Sequence, residues 1–258
     1  MNLRLTRRHW NQLARRDPLW AVLTAPDKAG NRWQADDFFA DGRRTVDAEL
    51  AGVRAHYPAL RRGSALDFGC GVGRLSQGLA GHFDRVTGVD LSEEMLALAR
   101  TYNRHGERVA YVHNARRDLR VLGDARFDFV YSILTLQHMD PADARAYIRE
   151  FVRVTAPGGA ILFQIPSEGL RDPPDSTLLT LWPPTLFKRL KRRWSRQRNR
   201  WLAENPLMEM HGLPRAEVEA VLAEAGARLI KAYPYGAAGN VLESWGYLAC
   251  KPADGRAG

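Results

Sequence analysis

Cysteine is scarce in this chain of 258 residues, which contains only Cys70 and Cys250. Two cysteines without CxxC spacing are too few for a disulfide framework and do not form a zinc-binding pattern. Long apolar runs are also missing, and none approaches the roughly 20 residues that a membrane-spanning helix needs. The N-terminal residues lack the apolar stretch of a secretory signal. The sequence therefore predicts a cytoplasmic protein with two reduced thiols.

Acidic residues are outnumbered by basic ones, and the formal net charge is +9 at pH 7. The excess lies in one segment, because residues 188–200, KRLKRRWSRQRNR, contain eight basic residues and no acidic one. The rest of the chain is nearly neutral, which argues against a generally basic nucleic-acid-binding surface. The functional role of the excess positive charge therefore depends on this segment.

Short apolar runs alternate with helical patterns from residue 64 onward, as in βαβ units. Ser92 is predicted to cap one helix, and Asp140 with Pro141 to begin another. This alternation predicts a doubly wound α/β fold with a mostly parallel sheet. The first five strands are expected at residues 64–68, 84–90, 108–113, 127–134 and, after a turn at 157–159, 160–166.

The alternation is interrupted after the fifth strand and resumes near residue 213. A helix that stops at Gly226, a sixth strand and a seventh strand at 243–251 are predicted there. Because only the short link GAAGNV joins the last two strands, they are expected to be antiparallel neighbours. A helical N-terminal segment at 1–63 and an insertion at 167–210 flank this pattern. The predicted units are thus 1–63 and a domain at 64–258.

The stretch ALDFGCGVGR, residues 65–74, places three glycines between the first strand and its helix. Such a turn binds nucleotide-like ligands, because glycine lets backbone N–H groups approach them. It is not a dinucleotide fingerprint, since Arg74 stands where glycine is required, and the lysine of a phosphate loop is missing. Asp67 would repel a pyrophosphate but suits a ligand with an ammonium group and a positive sulfur. Asp90 ends strand two, where a carboxylate can accept from both ribose hydroxyls.

Four motifs in this order resemble those of the class I S-adenosylmethionine-dependent methyltransferases. They are LDFGCGVGR, GVDLSEEML at 88–96, FDFVYSILTLQHM at 127–139 and APGG before strand five. The resemblance covers about residues 64–165, with a weaker similarity at 210–251. It implies a Rossmann-like seven-stranded fold and S-adenosylmethionine as the cofactor.

The resemblance also implies roles for individual residues. Asp90 would accept from the ribose hydroxyls, and Leu91 would pack against the adenine. The family commonly has an acid after strand three that accepts from the adenine amino group; here Asn114, followed by Ala115, offers its side-chain carbonyl oxygen. The other implied contacts are Asp67, Gly69, Cys70, Gly71 and Gly73 around the methionine portion, and Ser132 and Ile133 beside the methionine carboxylate and the transferred methyl.

Methyl transfer is an in-line displacement, so positioning supplies most of the catalysis, and a base is needed only where the acceptor carries a proton. His138, just past strand four, is the first candidate for this base, because histidine titrates near neutrality. The alternative is a histidine that only packs and hydrogen-bonds at the mouth of the sheet. His211 is the second candidate. No cluster of Asp, Glu and His has metal-ligand spacing, so no metal ion is predicted.

The two additions are expected to select the acceptor. In the N-terminal one, aromatic residues either form a lid that faces the positive sulfur through cation–π contacts or belong to helices packed at the sheet edge. These aromatic residues are Trp10, Trp20, Trp33, Phe38 and Phe39.

The insertion carries the basic segment within a predicted amphipathic helix at 185–203. Four interpretations stay open: a solvated helix, peripheral contact with an anionic membrane, attraction of an acidic substrate, and phosphate contacts to RNA. RNA is disfavoured because the rest of the chain is nearly neutral.

The sequence as a whole predicts a methyltransferase that uses S-adenosylmethionine to methylate an oxygen or nitrogen of a small-molecule or glycan-like acceptor. One alternative is a cofactor-binding regulator or partner subunit that has lost catalysis. The other is an RNA methyltransferase. The sequence predicts no oligomeric state.

Overall fold

The structure is a computed structural model that describes residues 3–167, 210–236 and 243–253. Within these ranges one sheet carries helices on both faces. Its strands are β1 (Ser64–Phe68), β2 (Arg85–Asp90), β3 (Val109–His113), β4 (Phe127–Ser132), β5 (Thr155–Pro166), β6 (Arg228–Pro234) and β7 (Ser244–Cys250). The helices are α1 (Leu3–Arg16), α2 (Pro18–Val22), α3 (Ala35–His56), α4 (Arg74–Leu79), α5 (Glu93–Tyr102), α6 (Pro141–Val154) and α7 (Arg215–Glu224).

The sheet has seven strands in the order β3-β2-β1-β4-β5-β7-β6 across the described ranges. Strands β1 to β5 pair in parallel, whereas β7 pairs antiparallel with both β5 and β6. This confirms the doubly wound, mostly parallel sheet and the antiparallel pairing of the last two strands. The strand order reverses between β1 and β4, and such a reversal opens a ligand-binding crevice at the carboxyl ends of the strands.

Two strand boundaries differ from the prediction by more than one residue. β4 ends at Ser132, two residues early, and Leu134 beyond it takes a left-handed backbone with φ +58°. β5 begins at Thr155, so the predicted turn at 157–159 is an irregularity inside the strand. Gly158 has φ +73° there, and the register with β4 shifts. A glycine-containing bulge can resemble a turn in sequence, because both need a positive φ.

Helices cover both faces because successive strand residues point to opposite sides of the sheet. On one face α6 and α7 pack over the strands, with Tyr147 and Phe151 of α6 against Phe68 of β1. On the other face α3, α4 and α5 bury side chains such as Leu79 and Leu96. Each face therefore has its own apolar core.

Two predicted helix starts are confirmed. Ser92 caps α5, and its Oγ accepts from the N–H of Met95 at 3.2 Å. Asp140 caps α6, with Oδ1 accepting from the N–H of Ala142 at 3.0 Å and Pro141 at the first helical position. These caps fix the loops that leave β2 and β4 at the carboxyl edge of the sheet.

The N-terminal helices α1 and α2 lie outside the sheet. Leu13 of α1 and Leu19 of α2 pack in a separate cluster with Phe38 and Phe39 of α3 and Met95 of α5. None of the helices in the described ranges is both long and apolar enough to cross a membrane. The predicted boundary between 1–63 and 64–258 stays a prediction.

Nearly all of the predicted insertion at 167–210, including the basic segment 188–200 and the helix at 185–203, lies outside the described residues.

Candidate active site

A cavity of about 350 Å³ lies at the carboxyl ends of β1, β2 and β4, at the point where the strand order reverses. Its wall comes from the glycine turn after β1, the end of β2, the segment after β4 and the N-terminal helices. Residues at this wall include Trp10, Val22, Gly69, Cys70, Gly71, Asp90, Leu91, Asn114, Ile133, Gln137 and His138.

The glycine turn after β1 has a left-handed backbone at Gly69 (φ +77°), Gly71 (φ +52°) and Gly73 (φ +82°). Protein side chains fill the space beside the first two. A Cβ at Gly69 would lie 2.1 Å from Thr135 Cγ2, and a Cβ at Gly71 would lie 2.7 Å from Val22 Cγ2. Glycine is therefore required here by neighbouring side chains as well as by the turn itself.

Replacing Gly69 with alanine is expected to lower the free energy of unfolding. A left-handed residue with a Cβ and the contact with Thr135 together cost about 2–5 kcal/mol. Gly30→Ala is the matched control, since Gly30 has φ +80° and nothing within 4 Å of a Cβ position. Urea unfolding of both variants measures the difference. Equal losses would show that the crowding at Thr135 has no energetic effect.

Asp90 at the end of β2 holds the glycine turn. Its Oδ2 accepts from the N–H of Gly71 at 2.9 Å, and its Oδ1 accepts from the N–H of Ser92 at 2.8 Å. Burial raises the pKa of Asp90 above its ordinary value, and these backbone N–H groups oppose the shift. Each carboxylate oxygen has a second lone pair, so Asp90 can also accept from a diol.

His138 borders the same cavity from the 3₁₀ turn Leu136–His138, which follows β4. Trp10 of α1 contacts its ring edge to face, with ring centroids 5.3 Å apart. The Nε2 of His138 lies 3.3 Å from the side-chain nitrogen of Gln137. The ring of His138, the side chain of Trp10 and the glycine turn therefore border the same cavity.

Comparison with known proteins assigns this arrangement to a family. Residues 65–159, which include the glycine turn, Asp90 and His138, match the family described as "Methyltransferase domain". These residues therefore carry a methyltransferase domain, and the match supports the class I S-adenosylmethionine-dependent methyltransferase family for this part of the chain. This confirms the family that the four motifs indicate.

Individual methyltransferases show how far the similarity extends. The chain is 32% identical over 136 residues to the ubiquinone biosynthesis O-methyltransferase of Idiomarina loihiensis, covering 52% of this chain and 55% of the relative. It is 35% identical over 145 residues to the malonyl-[acyl-carrier protein] O-methyltransferase of Enterobacter lignolyticus, covering 55% of this chain and 52% of the relative. The chain thus spans about half the length of the curated relatives it matches.

A solved methyltransferase has a similar fold. Magnesium protoporphyrin IX methyltransferase from Synechocystis PCC 6803, with bound SAH, superposes with a TM-score of 0.62 at 19% identity. The match covers 96% of this chain and 99% of that chain. At this identity the likeness establishes the Rossmann-like architecture.

The methyltransferase cofactor, S-adenosylmethionine, fits the chemistry of the cavity wall. Gly69 and Gly71 line the cavity, and each oxygen of Asp90 keeps a lone pair for a ribose diol beyond its bond to a backbone N–H. Leu91 supplies an apolar surface for a base. The residues present therefore suit a nucleoside with a diol.

The structure brings eight of the twelve predicted site residues to the cavity. Asn114 is one of them, and its Nδ2 also donates to the carbonyl oxygen of Asp118 at 2.8 Å, so it shapes the loop after β3. The contacts predicted between the site residues and the cofactor stay predictions. The eight are Gly69, Cys70, Gly71, Asp90, Leu91, Asn114, Ile133 and His138; Asp67, Gly73, Ala115 and Ser132 are not among the lining residues.

Two of the predicted residues serve the framework of the methyltransferase fold instead of lining the cavity. The hydroxyl of Ser132 donates to the carbonyl oxygen of Phe68 at 3.0 Å and so joins β4 to β1. His211, the second candidate base, also does not line the cavity, and its backbone N–H donates to the carbonyl oxygen of Gln137 at 2.7 Å. Ser132 and His211 therefore support the site from behind.

Asp67 is buried behind the glycine turn. The Oγ of Ser76 donates to its Oδ2 at 2.6 Å. Burial raises the pKa of Asp67 from 3.8 to about 6, while the Ser76 hydrogen bond and the positive charge of Arg74 oppose the shift. Asp67 therefore places a buried acid next to the turn without being part of the cavity wall.

Asp67→Asn is expected to gain stability relative to the parent protein as the pH rises. The native carboxyl binds its proton more tightly than the unfolded one, so its contribution to the free energy of unfolding falls between about pH 3.8 and about pH 6 and is constant above. The variant lacks this titration, and the difference should grow by about 2–3 kcal/mol across that window. Urea unfolding of both proteins at several pH values measures it. A difference that does not vary with pH would contradict the raised pKa.

The N-terminal helices border the cavity, which supports a lid and not merely a pair of helices at the sheet edge. Of the five aromatic residues predicted to face the positive sulfur, Trp10 alone is among the described lining residues. Phe38 and Phe39 are buried in the N-terminal cluster, and the Nε1 of Trp33 donates to the carbonyl oxygen of Leu23 at 3.1 Å. The aromatic contribution of the lid is therefore reduced to one side chain.

Sequence reasoning missed several residues of this site. Val22 and Thr135 lie beside the glycines, and nothing in their residue types signals this. Arg74 also lines the cavity and is 4% exposed, and its guanidinium donates to Asp41 Oδ2 at 2.8 Å. Its place directly after the glycine motif was a usable signal, which sequence reasoning used only to reject a dinucleotide fingerprint.

Proposed function

We propose that the chain transfers a methyl group from S-adenosylmethionine to an oxygen atom of a small molecule. The observation that carries this proposal is the single cavity shared by the glycine turn, Asp90 and His138. The two relatives matched by sequence are named O-methyltransferases, which favours oxygen over nitrogen as the acceptor atom. The comparisons do not favour a non-catalytic cofactor-binding protein or an RNA methyltransferase.

When bound, the cofactor supplies a methyl group on a positively charged sulfur. The backbone around Gly69 and Gly71 receives it, and Asp90 orients its ribose. His138 accepts the proton of the acceptor's hydroxyl, so that the oxygen becomes a better nucleophile. Trp10 and the rest of α1 keep water out and hold the acceptor in line, which is where most of the rate enhancement arises.

Apolar side chains lie beside His138 in the described part of the cavity wall. Trp10, Met139 and Met210 share this wall with His138. Arg74 is the only Lys or Arg among the described lining residues, and it is paired with Asp41. An acceptor with an apolar or aromatic body and one reactive oxygen therefore suits the wall.

The predicted acidic or glycan-like acceptor and the predicted membrane contact rest on other parts of the chain. Both the attraction of an acidic substrate and the peripheral membrane contact depend on 185–203, which lies outside the described residues. They stay predictions, as does the cytoplasmic location.

A panel of acceptors tests the proposed function. The protein is incubated with S-adenosylmethionine and with phenols, catechols, carboxylic acids, amines or RNA, and the release of S-adenosylhomocysteine is measured. We expect release with an aromatic oxygen acceptor and a mass increase of one methyl group on that oxygen. Tight binding of S-adenosylhomocysteine without turnover on any acceptor would instead support the non-catalytic alternative.

A further inference from the structure

Two buried glutamines lie behind His138 and connect it to the middle of the sheet. We propose that Gln137 and Gln164 are positioning residues that hold His138 as a neutral ring with its proton on Nδ1 and a lone pair on Nε2. The inference rests on the proposed function, in which His138 is the base, and it deepens that function by naming the nitrogen that receives the proton.

The orientation of the Gln164 amide is fixed by a backbone donor. Gln164 lies in β5 and is fully buried, with 0% of its surface exposed. The N–H of Leu134 donates to its Oε1 at 3.0 Å. A backbone N–H can only donate, so this side-chain atom must be the oxygen, and the nitrogen of Gln164 must point the other way.

The fixed amide of Gln164 in turn orients the amide of Gln137. The Nε2 of Gln164 donates to the Oε1 of Gln137 at 3.2 Å and also to the hydroxyl of Ser244 in β7. The main chain of Gln137 is held as well, because its carbonyl oxygen accepts from the N–H of His211 at 2.7 Å. With its oxygen engaged by Gln164, Gln137 presents its NH2 group to the ring of His138.

The tautomer of His138 follows from this orientation. The NH2 of Gln137 lies 3.3 Å from Nε2 of His138, and an amide NH2 can only donate. Nε2 must therefore accept, which a neutral imidazole does only when its proton is on Nδ1. The backbone N–H of Leu134 thus determines, through the amides of Gln164 and Gln137, which ring nitrogen of His138 carries the proton.

This tautomer is the one that a base acting at Nε2 requires. The 3.3 Å contact is long for a hydrogen bond, so an acceptor hydroxyl can replace it. The hydroxyl proton moves to Nε2, the electrons of the O–H bond stay on the oxygen, and the ring becomes an imidazolium that later returns the proton to water. In Ser-His-Asp triads the carboxylate fixes the tautomer from Nδ1, whereas Gln137 acts at Nε2 and gives up this contact to the acceptor hydroxyl.

The direct test is the protonation of the two ring nitrogens, measured by ¹⁵N NMR in the intact chain. In the wild type at high pH, Nε2 of His138 is expected to show the shift of an unprotonated nitrogen and Nδ1 that of an N–H. Gln137→Glu places a carboxylate at Nε2, so the proton should move to Nε2. We expect kcat to fall about 100-fold in this variant, with KM changed less than about threefold. A protonated Nε2 in the neutral wild-type ring, or an unchanged tautomer in Gln137→Glu, would overturn the proposal.

A second variant and a matched control separate positioning from general loss of packing. Gln164→Met releases the amide of Gln137, so both tautomers of His138 should be seen. Gln77→Met is the control, because Gln77 is 3% exposed and its Nε2 donates to the carbonyl oxygen of Tyr102 in another part of the molecule. The control should leave the His138 signals unchanged.

The outcomes also distinguish this inference from the proposed function. If the wild type shows the expected tautomer but methylates no acceptor, the proposed function fails and the hydrogen-bonded arrangement stands. If the wild type methylates an oxygen acceptor while Nε2 of neutral His138 carries the proton, the positioning inference fails alone. Should Gln164→Met not fold, the wild-type spectrum and Gln137→Glu still decide.

Discussion

Asp90→Ala is expected to weaken the binding of S-adenosylhomocysteine about 10²–10⁴-fold. A hydrogen bond to a charged group contributes about 1.5–3 kcal/mol, and the carboxylate is proposed to accept two of them from the ribose. The substitution also leaves the N–H groups of Gly71 and Ser92 without the oxygens that hold them at 2.9 and 2.8 Å. The substitution therefore removes the hydrogen bond that holds the glycine turn as well as those proposed to hold the ligand. Isothermal titration calorimetry measures the change.

Two further variants show whether the loss belongs to this carboxylate. Asp90→Asn keeps one acceptor oxygen, so an intermediate loss is expected. Asp84→Asn removes the same charge from an exposed residue directly before β2, at the opposite end of the strand, and should leave the affinity within about twofold. An unchanged affinity in a folded Asp90→Ala protein would remove the basis of the proposed cofactor site.

His138→Ala is expected to reduce kcat about 10²–10⁴-fold, which is the usual contribution of a general base. The effect should fall on kcat, because the glycine turn and Asp90 that receive the cofactor are untouched. It is measured with the oxygen acceptor that the panel identifies, together with the affinity for S-adenosylhomocysteine. An unchanged affinity with a reduced kcat is the expected result.

His82→Ala is the matched control for this substitution. His82 lies before the amino end of β2 and pairs with Asp47 at 2.5 Å, away from the cavity. Its replacement should leave kcat unchanged. If His138→Ala raises KM and keeps kcat, the ring only packs against Trp10 and the acceptor, and the base must be found elsewhere.

The strands and helix caps could be predicted from the sequence because they depend on local patterns. Apolar alternation indicated the strands of the parallel sheet, and Ser92 and Asp140 cap helices through hydrogen bonds to nearby residues of the same chain segment. The position of β7 between β5 and β6 depends on pairing between distant segments. Its antiparallel pairing with β6 was predicted, and its pairing with β5 was not. Local sequence signals thus predicted the strands and helices, whereas a pairing between distant segments was missed.

The direction of side chains at the cavity could be predicted only in part. Asp90 reaches it from the last position of β2 and His138 from the 3₁₀ turn after β4, and motif positions locate both well. Ser132 turns to Phe68 instead, because its direction depends on how β4 ends and not on its place in a motif. Likewise, the rotation of α1 brings Trp10 to the cavity, and this rotation is set by packing that the sequence does not display.

The N-terminal helices contact the cavity wall both at the glycine turn and at His138. Val22, the last residue of α2, lies beside Gly71, and Trp10 of α1 lies against the ring of His138. A ligand beside Gly71 that displaces these helices therefore also displaces the wall beside His138, and so changes the free energy of acceptor binding there. Such coupling is reciprocal: the factor by which the nucleoside improves the acceptor's affinity equals the factor by which the acceptor improves that of the nucleoside.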